Sequence, residues 1–252
     1  MQPYFHSRLT KRLAKQNAYV RRQQDLRREL LHNVSHNLRT PLSSMQGYLE
    51  TLLRKSAQLS AAELHLYLET AVRQSQRAGR LAQGLFDLAQ LEAHETQPVF
   101  ERFCLQELMQ DVVQKFSWAA EERQICIRFE FLSEIPAVAA DIGMIELLLS
   151  HLLDNAIRYS PPAGLVRVTL SWEAEQVQVS IHNSGTGIAD SLLSGLFERE
   201  SPLRYSLGHA QIGLGLLIVK RITLLHAGSI QVSSNPEHGT LFQFSLTALE
   251  SG

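Results

Sequence analysis

A chain of 252 residues with 44% hydrophobic and 19% charged residues has the composition of a soluble protein, with room for two domains and a sizeable core. Its two cysteines, Cys104 and Cys126, form neither a metal-ligand spacing nor a disulfide framework, which points to a reducing compartment. No run approaches the roughly 18 apolar residues of a membrane-spanning helix, and no signal peptide is visible at the N-terminus.

The net charge of −1 conceals an asymmetry, because residues 1–30 hold eight basic side chains against only Asp25 and Glu29. Two readings of this segment stand side by side: a solvated helix face, or a juxtamembrane stretch on the cytoplasmic side, where positive charge collects. A nucleic-acid patch is the weaker third, since few aromatics interleave the charges and nothing else in the chain supports it. Residues 21–55 then read as one long amphipathic helix, with Leu31, Val34, Leu38, Met45 and Leu52 on one face. His36 lies two positions from both Val34 and Leu38, so at about 100° per residue its imidazole turns towards solvent. Pro41 has no N–H to bond back to Asn37, and the helix is expected to bend or loosen just after the histidine.

Ser56 to Ser60 form a break, and Ser60 three residues before Glu63 predicts a capping box. The second helix carries Leu64, Leu68, Ala71, Ser75, Ala78, Ala82, Leu85 and Ala89 at alternating intervals of four and three, a heptad seam. Two antiparallel helices cannot enclose a core alone, so the hairpin is expected to pair with a second copy as a four-helix bundle. From Pro98 the pattern changes. Helices are expected near Leu105–Glu122, Ile142–Tyr159 and Leu214–His226. Strands are expected near Ile125–Phe131, Val166–Trp172, Val177–His182, Ser229–Ser233 and Leu241–Leu246. Strands mixed with helices without strict alternation argue an α+β sandwich, a sheet with helices on one face.

Four signals in this second half carry chemistry. Asp154-Asn155-Ala156-Ile157-Arg158-Tyr159-Ser160 ends a helix; Asn155 offers a neutral oxygen suited to Mg²⁺ and Arg158 a guanidinium suited to phosphate. Asn183-Ser184-Gly185-Thr186-Gly187-Ile188 follows a strand, and paired glycines there allow close backbone approach to a ligand. Gly213-Leu214-Gly215-Leu216 leads into an apolar helix whose free N–H groups suit an anion, yet it matches neither the Walker loop nor the dinucleotide fingerprint. Gly239-Thr240 opens the last strand. About two dozen irregular residues separate the two glycine pairs, including Phe197, Arg199 and Arg204, and a connection that long reads as a lid.

Each signal is weak alone, but in this order the chain resembles the cytoplasmic core of a bacterial sensor histidine kinase, from about Arg21 to Leu246. His36 with Leu38-Arg39-Thr40-Pro41 is similar to the phosphoacceptor box, and Asn155 with Ala156, Arg158 and Tyr159 to the N box. Asn183 to Ile188 is similar to the first glycine box, Phe197 to the lid phenylalanine, Gly213 and Gly215 to the second glycine box, and Gly239-Thr240 to the last. The resemblance implies a basic linker over 1–20, a dimerisation and phosphotransfer hairpin over 21–95, and a Bergerat-type ATP-binding domain over 96–252. It implies ATP and Mg²⁺ as cofactors, with Mg²⁺ on Asn155. The nucleotide would meet Asn155, Arg158, Tyr159, Asn183, Gly185, Gly187, Ile188, Phe197, Arg199, Arg204, Gly213, Leu214, Gly215, Leu216 and Thr240. His36 is then the phosphate acceptor, Asn37 its neighbour, and Thr40 the residue that orients water for a reverse phosphatase reaction. The implied partners are a second copy, a response-regulator receiver domain and an upstream membrane sensor, with no nucleic acid. The implied location is the cytoplasmic side of an inner-membrane protein.

Three positions depart from the family pattern. Asn37 stands where Glu or Asp accepts the imidazole proton, Asn183 where Asp takes the adenine amino group, and His151 where the N box often has a second asparagine. An amide still accepts a hydrogen bond but is no carboxylate base. The amides leave open a second reading, a non-catalytic or weakly nucleotide-binding dimeric scaffold of the same fold. Another ATPase with the Bergerat sandwich is disfavoured by the box around His36.

Overall fold

The computed structural model describes residues 35–93, 97–131, 134–173, 175–189, 193, 196 and 214–249. The expectations placed on residues 1–34, Phe197, Arg199, Arg204 and Gly213 lie outside them. The described chain forms two compact units, residues 35–85 and those from Phe86 onward. The second unit therefore begins inside a helix, before the expected boundary at residue 96.

In the first unit, helix α1 covers residues 35–55, a 3₁₀ turn covers Ser56–Gln58, and helix α2 covers Ala61–Ala93. The expected loosening at Pro41 does not interrupt α1. Proline removes one backbone bond only, and its ring is buried, so the turns on either side carry the helix through. The capping box forms as expected. Glu63 N–H donates to Ser60 Oγ at 3.3 Å, and the Ser60 N–H and hydroxyl donate to Glu63 Oε2 at 2.9 and 2.8 Å. Those donors hold the Glu63 carboxyl below its usual range.

The seam of α2 divides in a way the heptad pattern did not resolve. Leu64, Ala71, Ala78 and Leu85 are covered, and so are Tyr67, Gln74, Leu81 and Leu88. Leu68, Ser75, Ala82 and Ala89 are instead exposed. The covered stripe packs within the chain, where Tyr67 meets Tyr48 with ring centroids 5.5 Å apart. The second stripe runs exposed along the same helix.

In the second unit, a five-stranded sheet has the order β2-β4-β5-β7-β6, formed by β2 (Cys126–Phe131), β4 (Leu165–Glu173), β5 (Gln176–Asn183), β6 (Ile230–Asn235) and β7 (Gly239–Thr247). Only β2 and β4 run parallel; the other neighbours are antiparallel. Helices α3 (Leu105–Glu122), α4 (Ile142–Tyr159) and α5 (Leu214–Leu225) complete the sandwich, with α4 packed against α3, α5 and β5. The buried side chains alternate along the strands: Val166, Val168 and Leu170 on β4, Val177, Val179 and Ile181 on β5, Phe242, Phe244 and Leu246 on β7. Ile145, Leu148, Leu149, Leu152 and Leu153 of α4 and Ile218 and Ile222 of α5 are buried as fully. Each such side chain contributes about 1.5–3 kcal/mol by leaving water.

Two short strands, β1 (Glu101–Phe103) and β3 (Val138–Ala140), pair antiparallel as a separate ribbon. Three residues carry no readable period, and neither strand was expected. The ribbon is fastened to the end of the chain: Val138 bridges Ala248, and the Leu249 N–H donates to Ala137 O at 2.8 Å.

Asp141 fixes the start of α4. Its Oδ1 accepts from Met144 N–H at 3.0 Å, an N-cap, and its Oδ2 accepts from Val99 N–H at 3.0 Å. Its own N–H donates to His226 Nε2 at 2.9 Å. A backbone N–H can only donate, so Nε2 is the acceptor and Nδ1 carries the proton, given to Ile222 O at 2.9 Å. One neutral histidine thus joins the end of α5 to the start of α4.

Candidate active site

His36 is exposed on α1, with Asn37 half-exposed beside it. The Thr40 hydroxyl donates to the His36 carbonyl at 3.3 Å, the back-bond of a helical threonine. The imidazole is therefore open to an incoming group, while the threonine hydroxyl is held in the helix.

In the second unit the chemistry gathers where α4 ends. Arg123 caps that end, donating from Nη1 to Arg158 O at 2.9 Å and from Nη2 to Ser160 O at 3.2 Å. The Ser160 hydroxyl donates to Ala156 O at 2.8 Å. On this anchored turn Arg158 Nη2 donates to Asn155 Oδ1, lies 3.9 Å from Asp154 Oδ2 and stacks 4.8 Å from the centroid of the exposed Tyr159 ring. Its Nε finds no acceptor among the described residues. A guanidinium held on an anchored turn suits a phosphate oxygen.

The glycine positions serve the chain's own packing first. A Cβ at Gly185 would strike the Tyr159 carbonyl oxygen and lie 2.7 Å from Asn183 Nδ2. Gly187 has φ +75° and lies where a Cβ would be 2.8 Å from the Asn235 carbonyl. Gly239, at φ +85°, presses on the Asn183 carbonyl. What these glycines first permit is a close approach between the end of β5, the end of α4 and the β6–β7 turn. Only glycine lets the three backbones meet there.

Ser234 fastens that junction, and no motif or period in the sequence marks it out. Its hydroxyl accepts from Ile188 N–H at 2.7 Å, donates to Gly239 O at 3.1 Å and lies 2.8 Å from Thr240 Oγ1. Thr240 is 5% exposed. Leu214 and Leu216 are also 5% exposed, so their side chains belong to the core and only their backbone could face a ligand. Asn183 is 3% exposed and its Nδ2 has no partner among the described residues. A buried amide with open hydrogen-bonding capacity is costly unless something fills it, and a ring nitrogen of a nucleobase is an acceptor of the right kind.

No cluster of three or more His, Cys, Asp or Glu side chains able to hold a metal occurs among the described residues. The donors at the end of α4 fit Mg²⁺ all the same. That ion takes one or two protein oxygens and completes its shell with water and phosphate, and Asn155 Oδ1 is pre-oriented by Arg158.

His151 lies one turn before Asn155, with Nε2 3.3 Å from Asp87 Oδ2 in a contact too poorly aligned for a good hydrogen bond. Burial lowers its pKa from the ordinary 6.5, and Arg158 adds to this; Asp87 and Asp154 oppose it. The folded chain thus favours the neutral ring. An unfolded chain takes up this proton first as pH falls, so stability is full above about 6.5 and drops below it until the lower folded value is reached. Thermal melting followed from about pH 7.5 to about 5 should fall less steeply in His151→Gln. Equal slopes in both proteins would remove His151 as a source of the pH dependence.

Family comparisons place both units. Residues 26–94 match the His Kinase A (phospho-acceptor) domain, and residues 140–250 the histidine kinase-, DNA gyrase B- and HSP90-like ATPase. The catalytic domain of histidine kinase ThkA is 31% identical, over 60% of this chain and 96% of that one, with a TM-score of 0.52.

The chain belongs to the histidine kinase family.

Circadian input-output histidine kinase CikA of Synechocystis sp. is 30% identical over 86% of this histidine kinase chain, which spans 30% of CikA's length. The structure of ThkA in complex with response regulator protein TrrA matches 99% of this chain and 67% of that one, at 25% identity and a TM-score of 0.70. The kinase thus has the expected order of a helical region followed by an α/β ATPase domain. No described helix is long and apolar enough to cross a membrane.

Proposed function

We propose that this chain is the catalytic core of a two-component sensor kinase that binds Mg-ATP in its second unit, phosphorylates His36 and passes the phosphoryl group to an aspartate of a response regulator. The observation that carries it is the pairing, in one chain, of an exposed imidazole at His36 with a nucleotide-type site whose buried Asn183 amide lacks a partner among the described residues. A nitrogen of neutral imidazole attacks the γ-phosphorus; the P–N bond forms, the bond to the ADP oxygen breaks, and the ring proton passes to water. Such transfer depends on in-line positioning and neutralisation of charge. Arg158 supplies positive charge from the end of α4, and Asn183 fixes the base. Mg²⁺ on Asn155 neutralises the phosphates when bound.

Dimerisation of the hairpin is supported by exposed apolar side chains on α2, where Leu68 is 44% and Val72 55% exposed. ThkA's complex with TrrA supports a receiver domain as the acceptor. The same reading gives Thr40, one turn from His36, the role of orienting water in the reverse reaction through the lone pairs of a hydroxyl whose proton goes to the His36 carbonyl. The basic residues 1–30 support a place beside the cytoplasmic face of a membrane, downstream of a sensor.

Incubation of the full chain with labelled Mg-ATP is expected to give a protein-bound phosphate that is labile to acid and stable to base. In Asn155→Ala the label should fall at least about tenfold, since an oxygen that positions the metal and its phosphates is gone. The amides Asn37 and Asn183 favour a scaffold that holds nucleotide weakly or not at all; absence both of label and of an ATP-induced thermal shift would decide for it. Asn37 also predicts a rate. With no carboxylate to take the ring proton, autophosphorylation is expected to quicken in Asn37→Glu, by about tenfold or more on the usual scale of general-base assistance. An unchanged or slower rate would show that Asn37 does not limit the reaction.

A further inference from the structure

Asp87 is 6% exposed on the last turns of α2, within the second unit, and Leu88 and Leu91 are buried beside it at 6% and 8%. A carboxylate is rarely buried so deeply unless it meets a positive or donating group. One such group is His151, whose Nε2 is 3.3 Å from Asp87 Oδ2. The other side of the same imidazole lies over Gly215 at the start of α5: a Cβ there would be 3.1 Å from Nδ1 and 3.5 Å from Cγ. Gly215 has no positive φ to require a glycine, so its small size is explained by the ring above it. His151 therefore stands between the end of α2 and the first turn of α5, one helical turn before Asn155.

We propose that His151, held by Asp87, is a positioning residue that sets the first turn of α5, and with it the backbone N–H groups offered to the nucleotide phosphates, from the end of α2. The proposal rests on the nucleotide site proposed above. An imidazole packed on both sides has little freedom, so a change at Asp87 is transmitted to α5 as a shift of the ring. Because α2 is one helix from Ala61 to Ala93, the same contact makes nucleotide affinity sensitive to that helix. Asp87 need not touch the nucleotide for this to hold.

The test is a double-mutant cycle on the full chain, with Mg-ADP binding measured by titration calorimetry and melting temperature recorded without nucleotide. The parent must bind Mg-ADP; if it does not, the nucleotide site itself fails and not the link through His151. Asp87→Ala and His151→Ala are each expected to weaken binding by about 3- to 10-fold, the scale on which loss of one polar contact changes an equilibrium. The double variant should lose little more than either single one. Asp87→Asn, which keeps the size of the side chain and an oxygen beside His151 Nε2, should recover most of the affinity. The result that overturns the proposal is an Asp87→Ala protein with parental Mg-ADP affinity, whatever its melting temperature, because a merely structural carboxylate would leave affinity untouched. Losses that multiply in the double variant overturn it equally.

Discussion

His36→Gln should leave no acid-labile, base-stable phosphate after incubation with labelled Mg-ATP, while Mg-ADP binding stays within about twofold of the parent. The two halves of that result come from different units. Glutamine keeps the polarity and helix tolerance of the position but has no nucleophilic ring nitrogen. Position 36 is exposed, so the change opens no cavity and strands no buried group, and stability should move by less than about 0.5 kcal/mol. Label persisting at full level would mean that another residue accepts the phosphoryl group. Loss of label together with loss of nucleotide binding would mean that position 36 supports the fold.

Gly239→Ala is expected to be the most damaging single methyl in the second unit. The position has φ +85°, a conformation that costs an L side chain of order 1–3 kcal/mol. The new Cβ would also collide with the carbonyl oxygen of Asn183 and come within 3.0 Å of the Gly185 nitrogen. Neither obstacle is a flexible side chain. Both belong to the backbone at and just beyond the β5 end, where Asn183 is paired with Thr240 and Val166 in the sheet. We expect a loss of about 3 kcal/mol or more in denaturant unfolding, and Mg-ADP affinity lowered at least about tenfold as Asn183 is displaced. Gly79→Ala is the control. A Cβ there would have nothing within 4 Å, so that change should be neutral or slightly stabilising. A Gly239→Ala protein with parental stability would show that the β6–β7 turn relaxes freely.

The long elements were legible because their periods were long enough to read. Helices Leu105–Glu122 and Ile142–Tyr159 have the bounds expected from the sequence, and β4 and β5 extend one residue beyond theirs at each end. The ribbon of β1 and β3 was illegible for the opposite reason. In the hairpin, the pattern set the phase of α2 at Leu64, Ala71, Ala78 and Leu85 but not which neighbours the chain itself would cover. A stripe facing its own hairpin and a stripe facing outward are both apolar, and periodicity cannot separate them. At the site, residue types were readable and their contacts were not. Asn155 and Arg158 sit three apart in sequence and do bond to one another. Asp87 and His151, or Ser234 and Ile188, meet only through the fold. The glycines were noticed for a reason of conformation, whereas their first demand is the room taken by Tyr159, Asn235 and Asn183.

The ribbon of β1 and β3 has a practical side. Because Val138 bridges Ala248 and the Leu249 N–H bonds to Ala137, the strand β3 that zips onto Glu101–Phe103 is also gripped by residues near the C-terminus. A reporter or affinity handle spliced directly after Leu249 would tug on β3 and, through it, on β1. Engineering at that end calls for a slack spacer, or for moving the handle to another site.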